Sequence, residues 1–241
     1  MTGPSLPLVP PPAAAPPTLR VPVVHAVTTP ELVADAAFPE RARAVMRVLG
    51  ARGAVQLRAP GLTARRLFEV VLALRDTQRE TGCWLLVNDR VDIALAAGAR
   101  GVQLTSRSIP PADARRIAPA LALGASVHDA AAAARAAAGG ADWVVAGHVY
   151  ATASHPAEAP RGEELVRAAA AAVRVPVIAI GGVRPGDVPA LRRAGAHGVA
   201  VIRGVWAASD AERAAIDYLA SYDADAAGDA DHRPDAERRA P

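Results

Sequence analysis

The chain has 241 residues, 51% of them hydrophobic but only 3% aromatic, and carries 27 basic against 24 acidic side chains. All the basic ones are arginine, which excludes Schiff-base chemistry on a carbonyl substrate or pyridoxal phosphate, since both need a lysine amine. A net charge of +3, no basic block and too few aromatics for a base-stacking platform exclude nucleic acid as the expected partner.

The length suits one large domain or two small ones, with a core assembled from Ala, Val, Leu and Ile. The single cysteine, Cys83, rules out an internal disulfide and a cysteine-based zinc cluster, and reads as a small core residue. No stretch of about 18 uninterrupted apolar residues marks a membrane span, and the N-terminus lacks the basic n-region of a secretory signal. A cytoplasmic protein is expected.

Residues 1–20 are proline-rich and have little to bury, so they read as a disordered, partly polyproline-II leader. From there to about residue 220 one pattern repeats: a short apolar run, a turn, a helical stretch. The predicted strands are 21–28, 54–58, 84–88, 101–104, 122–127, 143–146, 177–180 and 198–202. The predicted helices are 39–50, 63–81, 91–97, 110–118, 129–138, 162–172, 185–194 and 208–218, with Thr63 and Asp129 as N-caps. The alanine run 130–138 needs no explanation beyond a helix, alanine being the best helix former. Residues 221–241 mix Asp, Ala, Gly and Arg without periodicity and are expected to be a disordered tail.

Strands alternating with helices imply a parallel sheet, because parallel strands need crossover connections. Eight repeats over about 200 residues fit a single (β/α)₈ TIM barrel. An open doubly wound sheet is the competitor, but it would have five or six strands and a glycine-rich first turn, and His25-Ala-Val-Thr has none.

In a barrel, chemistry sits on the loops after the strand ends. Those positions here carry Gln56 and Arg58, Asn88 with Asp89 and Arg90, Gln103 with Thr105 and Ser106, Ser126 and His128, Gly147 and His148, Gly181 and Gly182, and Val201, Ile202 and Arg203. Paired glycines after the seventh strand let a ligand approach the backbone, and amides after strands seven and eight form the recurring barrel phosphate site. His148 is the acid/base candidate, since an imidazole both accepts and donates a proton near neutral pH. His128 shares that face or stabilises its strand end, His25 holds structure inside the barrel, and His197 and His232 are given no role. Asp89 either binds Mg²⁺, caps the third helix or pairs with Arg90. The segment from Val149 to Arg161 has the length of a lid.

The ordered series VQLR, VNDR, GVQL, SVH, GHVYATASH, AIGGV and GVAVI, from Gln56 to Ile202, resembles the thiamin phosphate synthase/TenI superfamily. One branch joins a pyrimidine diphosphate to a thiazole phosphate; the other aromatises a thiazole phosphate carboxylate. The synthase-like GVHLGQEDLP is here Gly101 to Pro110, with Ser108 where that branch has its second magnesium-binding aspartate. Its GPIFPTxTK is here Gly147 to His155, with His155 in place of lysine. The lysine expected soon after Arg58 is also missing.

The tautomerase-like GHVFET and VQLPS fit better, at Gly147 to Thr152 and Val102 to Ser106. That resemblance implies an isomerase, a thiazole tautomerase of thiamin biosynthesis, with His148 moving a proton and no metal or organic cofactor. It implies Arg58, Asn88, Gln103, Ser126 and Thr152 as contacts to a small-molecule thiazole phosphate carboxylate. Gly181, Gly182, Val201 and Ile202 would hold its phosphate through backbone amides. Thiamin phosphate synthase, a Mg²⁺-dependent transferase, and a non-catalytic phosphate-ligand regulator remain the alternatives. The sequence leaves the oligomeric state open, a homo-oligomer included.

Overall fold

The computed structural model describes residues 19–152 and 159–230. The expectations for the proline-rich leader, for Ser154 and His155, and for His232 lie outside the described residues. Eight strands alternate with helices: β1 Val24–Val27, β2 Gly53–Leu57, β3 Trp84–Asn88, β4 Gly101–Leu104, β5 Ala122–Val127, β6 Trp143–Gly147, β7 Val177–Ile180 and β8 Gly198–Val201. All neighbours pair in parallel, and β8 closes on β1, so the sheet is a complete barrel with no edge. This is the (β/α)₈ fold read from the repeat.

The helices are α1 Pro30–Ala34, α2 Phe38–Leu49, α3 Ala64–Thr81, α4 Val91–Ala97, α5 Pro111–Ile117, α6 Ala130–Ala138, α7 Gly162–Ala172, α8 Val188–Arg193, α9 Arg203–Trp206 and α10 Ala211–Ala230. Their sequences show why they form. In α3, Leu67, Val70, Val71 and Leu74 recur at helical spacing and are buried, while Thr63 accepts the Arg66 N–H at its start. Gly82 ends the same helix in the left-handed region, where a side chain would be strained. Asp129 caps α6 by accepting the Ala132 N–H at 2.6 Å, so the alanine run begins where a helix can begin.

Every strand is buried on both faces, and the two faces form separate cores. Outward residues such as Val24, Val55, Val87, Val102 and Val144 pack under the helices, in the Ala/Val/Leu/Ile layer that the composition anticipates. The inward face departs from it. Trp84 and Trp143 meet edge to face inside the barrel, 6.0 Å between centroids, and His25 lies edge-on to Trp143 at 6.1 Å. A Cβ on Gly124 would run into the Trp143 ring, so that glycine makes room for the indole. His25 has the structural place expected of it: fully buried, with Nε2 3.1 Å from the Pro22 carbonyl.

Beyond shifts of a residue or so at element ends, the structure departs from the expected elements in three places. Strand β1 is the short Val24–Val27, and two helices of one turn or so, α1 and α9, escape a periodicity argument because they are too short to show a period. The expected tail boundary at 220 falls inside α10, which continues to Ala230. Its continuation is held by two arginines: Arg52 donates to both Asp223 oxygens, at 2.9 and 2.6 Å, and Arg192 stacks on the Tyr222 ring at 4.3 Å. Among the described residues no helix is long and apolar enough to cross a membrane.

Candidate active site

Parallel closure brings the C-terminal ends of all eight strands to one mouth, and with them most of the residues singled out above. Inward-facing side chains on β2 to β6 form a polar floor of two hydrogen-bonded groups. The Gln56 amide donates to Asn88 Oδ1 at 2.8 Å. Trp143 Nε1 donates to Gln103 Oε1 at 3.1 Å, and the Gln103 amide in turn faces Ser126 Oγ at 3.1 Å. Gln103 is therefore buried beneath the mouth and orients Ser126; its amide is engaged by protein on both ends.

Gln56 belongs to the strand-end set but is not among the ligand contacts that the resemblance implies. Its Oε1 is buried without a hydrogen-bond partner, an unfulfilled acceptor at the bottom of the mouth. Arg58, just past the end of β2, is half-buried. Its backbone is clamped by Thr28: the Arg58 N–H donates to Thr28 Oγ1 at 2.9 Å, and that hydroxyl donates to the Arg58 carbonyl at 3.4 Å. Glu31, fully exposed on α1, has its carboxyl held below the ordinary range by its own backbone N–H and Thr29, with Arg58 adding a weaker attraction.

Gly181, Gly182, Val201 and Ile202 lie on the rim of the mouth after β7 and β8. Both glycines have positive φ, 107° and 67°. The first requirement for them is internal: a Cβ on Gly181 would collide with His148, and one on Gly182 with the Ala151 carbonyl. The segment after β6 lies directly across the pair, with Val149 N donating to the Ile180 carbonyl at 2.8 Å and Tyr150 N to that of Gly181 at 2.9 Å. Beside them Ile202 leads into α9, whose first N–H groups have no intrahelical acceptor. Tyr218, fully buried in α10, donates its hydroxyl to the Val183 carbonyl at 2.8 Å and lies against Gly204, bracing this corner from behind.

His148 follows β6 and is buried against Gly181. His128 has its Nδ1 2.7 Å from the Gly147 carbonyl, so it stabilises the β5–β6 strand ends. His197 is on the other end of the barrel, its Nε2 2.7 Å from the Val21 carbonyl. Thr152 is half-buried at the edge of the described part of the β6–α7 connection. That connection is closed at its base: Gly162 N donates to the Val149 carbonyl at 2.9 Å, and the Tyr150 hydroxyl to Glu163 at 3.3 Å. Burial, with the Glu163 and Asp187 charges, pushes the Tyr150 phenol up to about 12, so it stays a donor.

A family model described as thiamine monophosphate synthase matches residues 24–205, from the first strand through α9. The chain belongs to that family. A thiamine-phosphate synthase of Chloroflexus aurantiacus is 40% identical over 169 residues, covering 70% of this chain and 78% of its own. One from Methanoculleus marisnigri is 42% identical over 173 residues, covering 70% and 82%. The solved thiamine phosphate pyrophosphorylase of Pyrococcus furiosus superposes with a TM-score of 0.74 at 32% identity, covering 84% of this chain and 96% of its own.

These relatives overturn the tautomerase expectation. The relatives at about 40% identity over some 70% of the chain are named as synthases, transferases rather than isomerases, and so favour the alternative reading. The local matches of Gly147 to Thr152 and Val102 to Ser106 weighed two strand-end loops against the whole barrel, and loops are the more changeable part of such a fold. The proton-transfer role of His148 belonged to that reaction.

A synthase of this family implies a divalent cation, and Asp89 is the residue to test for it. It neither pairs with Arg90, which is bound bidentately by Asp92 at 2.8 and 2.5 Å, nor caps α4. Instead Asp89 Oδ1 accepts from Thr105 N at 3.2 Å, from Thr105 Oγ1 at 2.6 Å and from Ser108 Oγ. Among the described residues no three His, Cys, Asp or Glu side chains converge to hold a metal. A single oriented carboxylate still fits Mg²⁺, which takes one or two carboxylates together with waters and substrate phosphates.

Proposed function

We propose that the chain is a thiamin-phosphate-forming transferase: it joins a pyrimidine carrying a methylene diphosphate to a thiazole carrying a phosphate. What carries the reading is the roughly 40% identity to synthases over a stretch that spans the mouth of the barrel. The reaction forms one C–N bond, from the thiazole ring nitrogen to the pyrimidine methylene carbon. It breaks the C–O bond to the diphosphate, which leaves with the electron pair. No proton is transferred in the balance.

The substrates are small and phosphate-bearing, and the mouth offers two places for anions. On one side Arg58 faces the diphosphate with a charge that never titrates. On the other, the Gly181–Gly182 turn and the start of α9 receive the thiazole phosphate with backbone N–H groups. Placing the anions after different strands of the rim, β2 on one hand and β7 and β8 on the other, keeps the two phosphates apart while the reacting atoms meet over the polar floor. Gln56, Asn88 and Ser126 bind the pyrimidine ring; the open Gln56 Oε1 accepts from a ring amine. His148 walls the thiazole side against Gly181, and Thr152 follows on the same segment after β6.

Asp89 would hold a divalent cation against the diphosphate. The chemistry supplied there, when the ion is bound, is neutralisation of the departing charge. With no lysine in the chain, all further cationic help comes from arginine. The test is direct: the protein is incubated with the pyrimidine diphosphate, the thiazole phosphate and Mg²⁺, and thiamin phosphate is measured by its oxidised fluorescent product. Absence of product from folded protein would refute the reading.

A further inference from the structure

Asp89 stands in an unusual setting. It is the one described non-glycine residue with positive φ, 60°, and its N–H donates to the Gln103 carbonyl at 3.0 Å, which fixes it over the end of β4. The facing turn is built to donate. Ser108 N closes the turn on the Thr105 carbonyl at 3.0 Å, and this brings the Thr105 amide, the Thr105 hydroxyl and the Ser108 hydroxyl onto the same carboxylate oxygen. Hydrogen bonds to an ionised acceptor are the strong ones, so the charge of Asp89 is already compensated before any ligand arrives.

A bare dication finds little here. Mg²⁺ and Mn²⁺ dehydrate reluctantly and draw their affinity from the number of anionic oxygens offered. This turn offers one carboxylate, with one of its two oxygens engaged by three donors. Arg107, exposed in the same turn between Thr105 and Ser108, adds a charge that repels a free cation and attracts a polyphosphate. A diphosphate changes the balance, because it brings its own anionic oxygens.

We infer that this chain takes a divalent cation only together with a diphosphate, and that Ser108, a donor to Asp89 where a carboxylate would be a second ligand, is the residue that sets this dependence. The inference rests on the transferase reading for the identity of the diphosphate alone.

The experiment uses Mn²⁺ as the probe, read by water-proton relaxation enhancement on the full chain, with and without inorganic pyrophosphate. The wild type gives no enhancement with Mn²⁺ alone and a clear one when pyrophosphate is added, and Asp89→Asn loses the latter. Ser108→Asp gains enhancement without pyrophosphate, a rise in apparent affinity of at least about tenfold. Pyrophosphate-independent binding by the wild type that Asp89→Asn abolishes would overturn the inference. So would pyrophosphate-dependent enhancement that survives Asp89→Asn, or a folded Ser108→Asp that behaves as the wild type. Asp89→Asn is isosteric, which keeps the question answerable if Ser108→Asp fails to fold. A chain that binds Mn²⁺ with pyrophosphate yet forms no thiamin phosphate would defeat the transferase reading and leave this one standing.

Discussion

The Tyr218 hydroxyl donates to the carbonyl of Val183 at 2.8 Å, linking the last helix to the turn that follows the paired glycines. Both groups are buried, and Tyr218 also closes against Gly204 at the start of α9. One side chain from the last helix thereby braces the β7 and β8 turns against each other. Tyr218→Phe leaves the ring and removes the donor, so the Val183 carbonyl loses its partner. Urea unfolding should report a loss of about 1–2 kcal/mol. If the corner holds the thiazole phosphate, KM for that substrate should rise while KM for the diphosphate stays put. Equal changes in both would show that Tyr218 supports the barrel in general.

The glycine pair makes a sharper comparison. Gly182→Ala must place a Cβ at φ 67° and against the Ala151 carbonyl, whereas Gly186, four residues on, has nothing within 4 Å of an added Cβ. The first substitution should cost more than about 1 kcal/mol and displace the segment after β6. Gly186→Ala should be neutral or slightly stabilising, through reduced freedom of the unfolded chain. Thermal melting of the two single variants decides it, and matching melting temperatures would refute the packing argument.

The barrel was legible because its signal is repetitive: eight apolar runs, each followed by a helix, leave few arrangements that bury every strand on both faces. The mouth was legible for the same reason, since any residue just past a run lands there, as Arg58, Asn88, Ser126 and Gly181 do. What the sequence hid was partnership. Nothing about Thr28 announces that it clamps the backbone of Arg58, 30 positions away, or about Gln56 that its amide is half satisfied. Asp89 offered three readings in sequence, and the structure gives a fourth, a carboxylate held by Thr105 and Ser108. The short helices α1 and α9 lacked the length to show a period. The reaction itself was misread because the segments after β4 and β6 resembled one branch while the chain as a whole is similar to the other.

Arg58 carries the clearest functional prediction. It is a half-buried arginine just past the end of β2, and the transferase reading places it on the diphosphate. Arg58→Ala should lower kcat/KM by roughly 10²-fold, as loss of a charge aimed at a developing anion does. Thr28→Val keeps the guanidinium but frees its backbone, so a smaller loss is expected, without a change in stability large enough to unfold the chain. A fully active Arg58→Ala would move the diphosphate elsewhere in the mouth.

Stability should also carry the mark of His25. Burial, opposed by the hydrogen bond with the Pro22 carbonyl and assisted by His197, lowers its imidazole from 6.5 to about 4. The unfolded chain therefore takes up a proton near 6.5 that the folded chain accepts only near 4. Between those values the unfolded state binds more protons, so stability falls as pH drops through that window and is fully present above it. The size of the effect is about 3 kcal/mol for a group this deeply buried. Carboxylates titrate over part of the same range, so the measurement is a difference: urea midpoints of wild type and His25→Asn, each followed from about pH 7 to about pH 4.5. The variant, lacking the titrating ring beside Trp143, should start less stable and lose less on acidification. Parallel curves would mean that the imidazole takes up its proton at the same pH in the folded and unfolded chain, so that burial does not depress it.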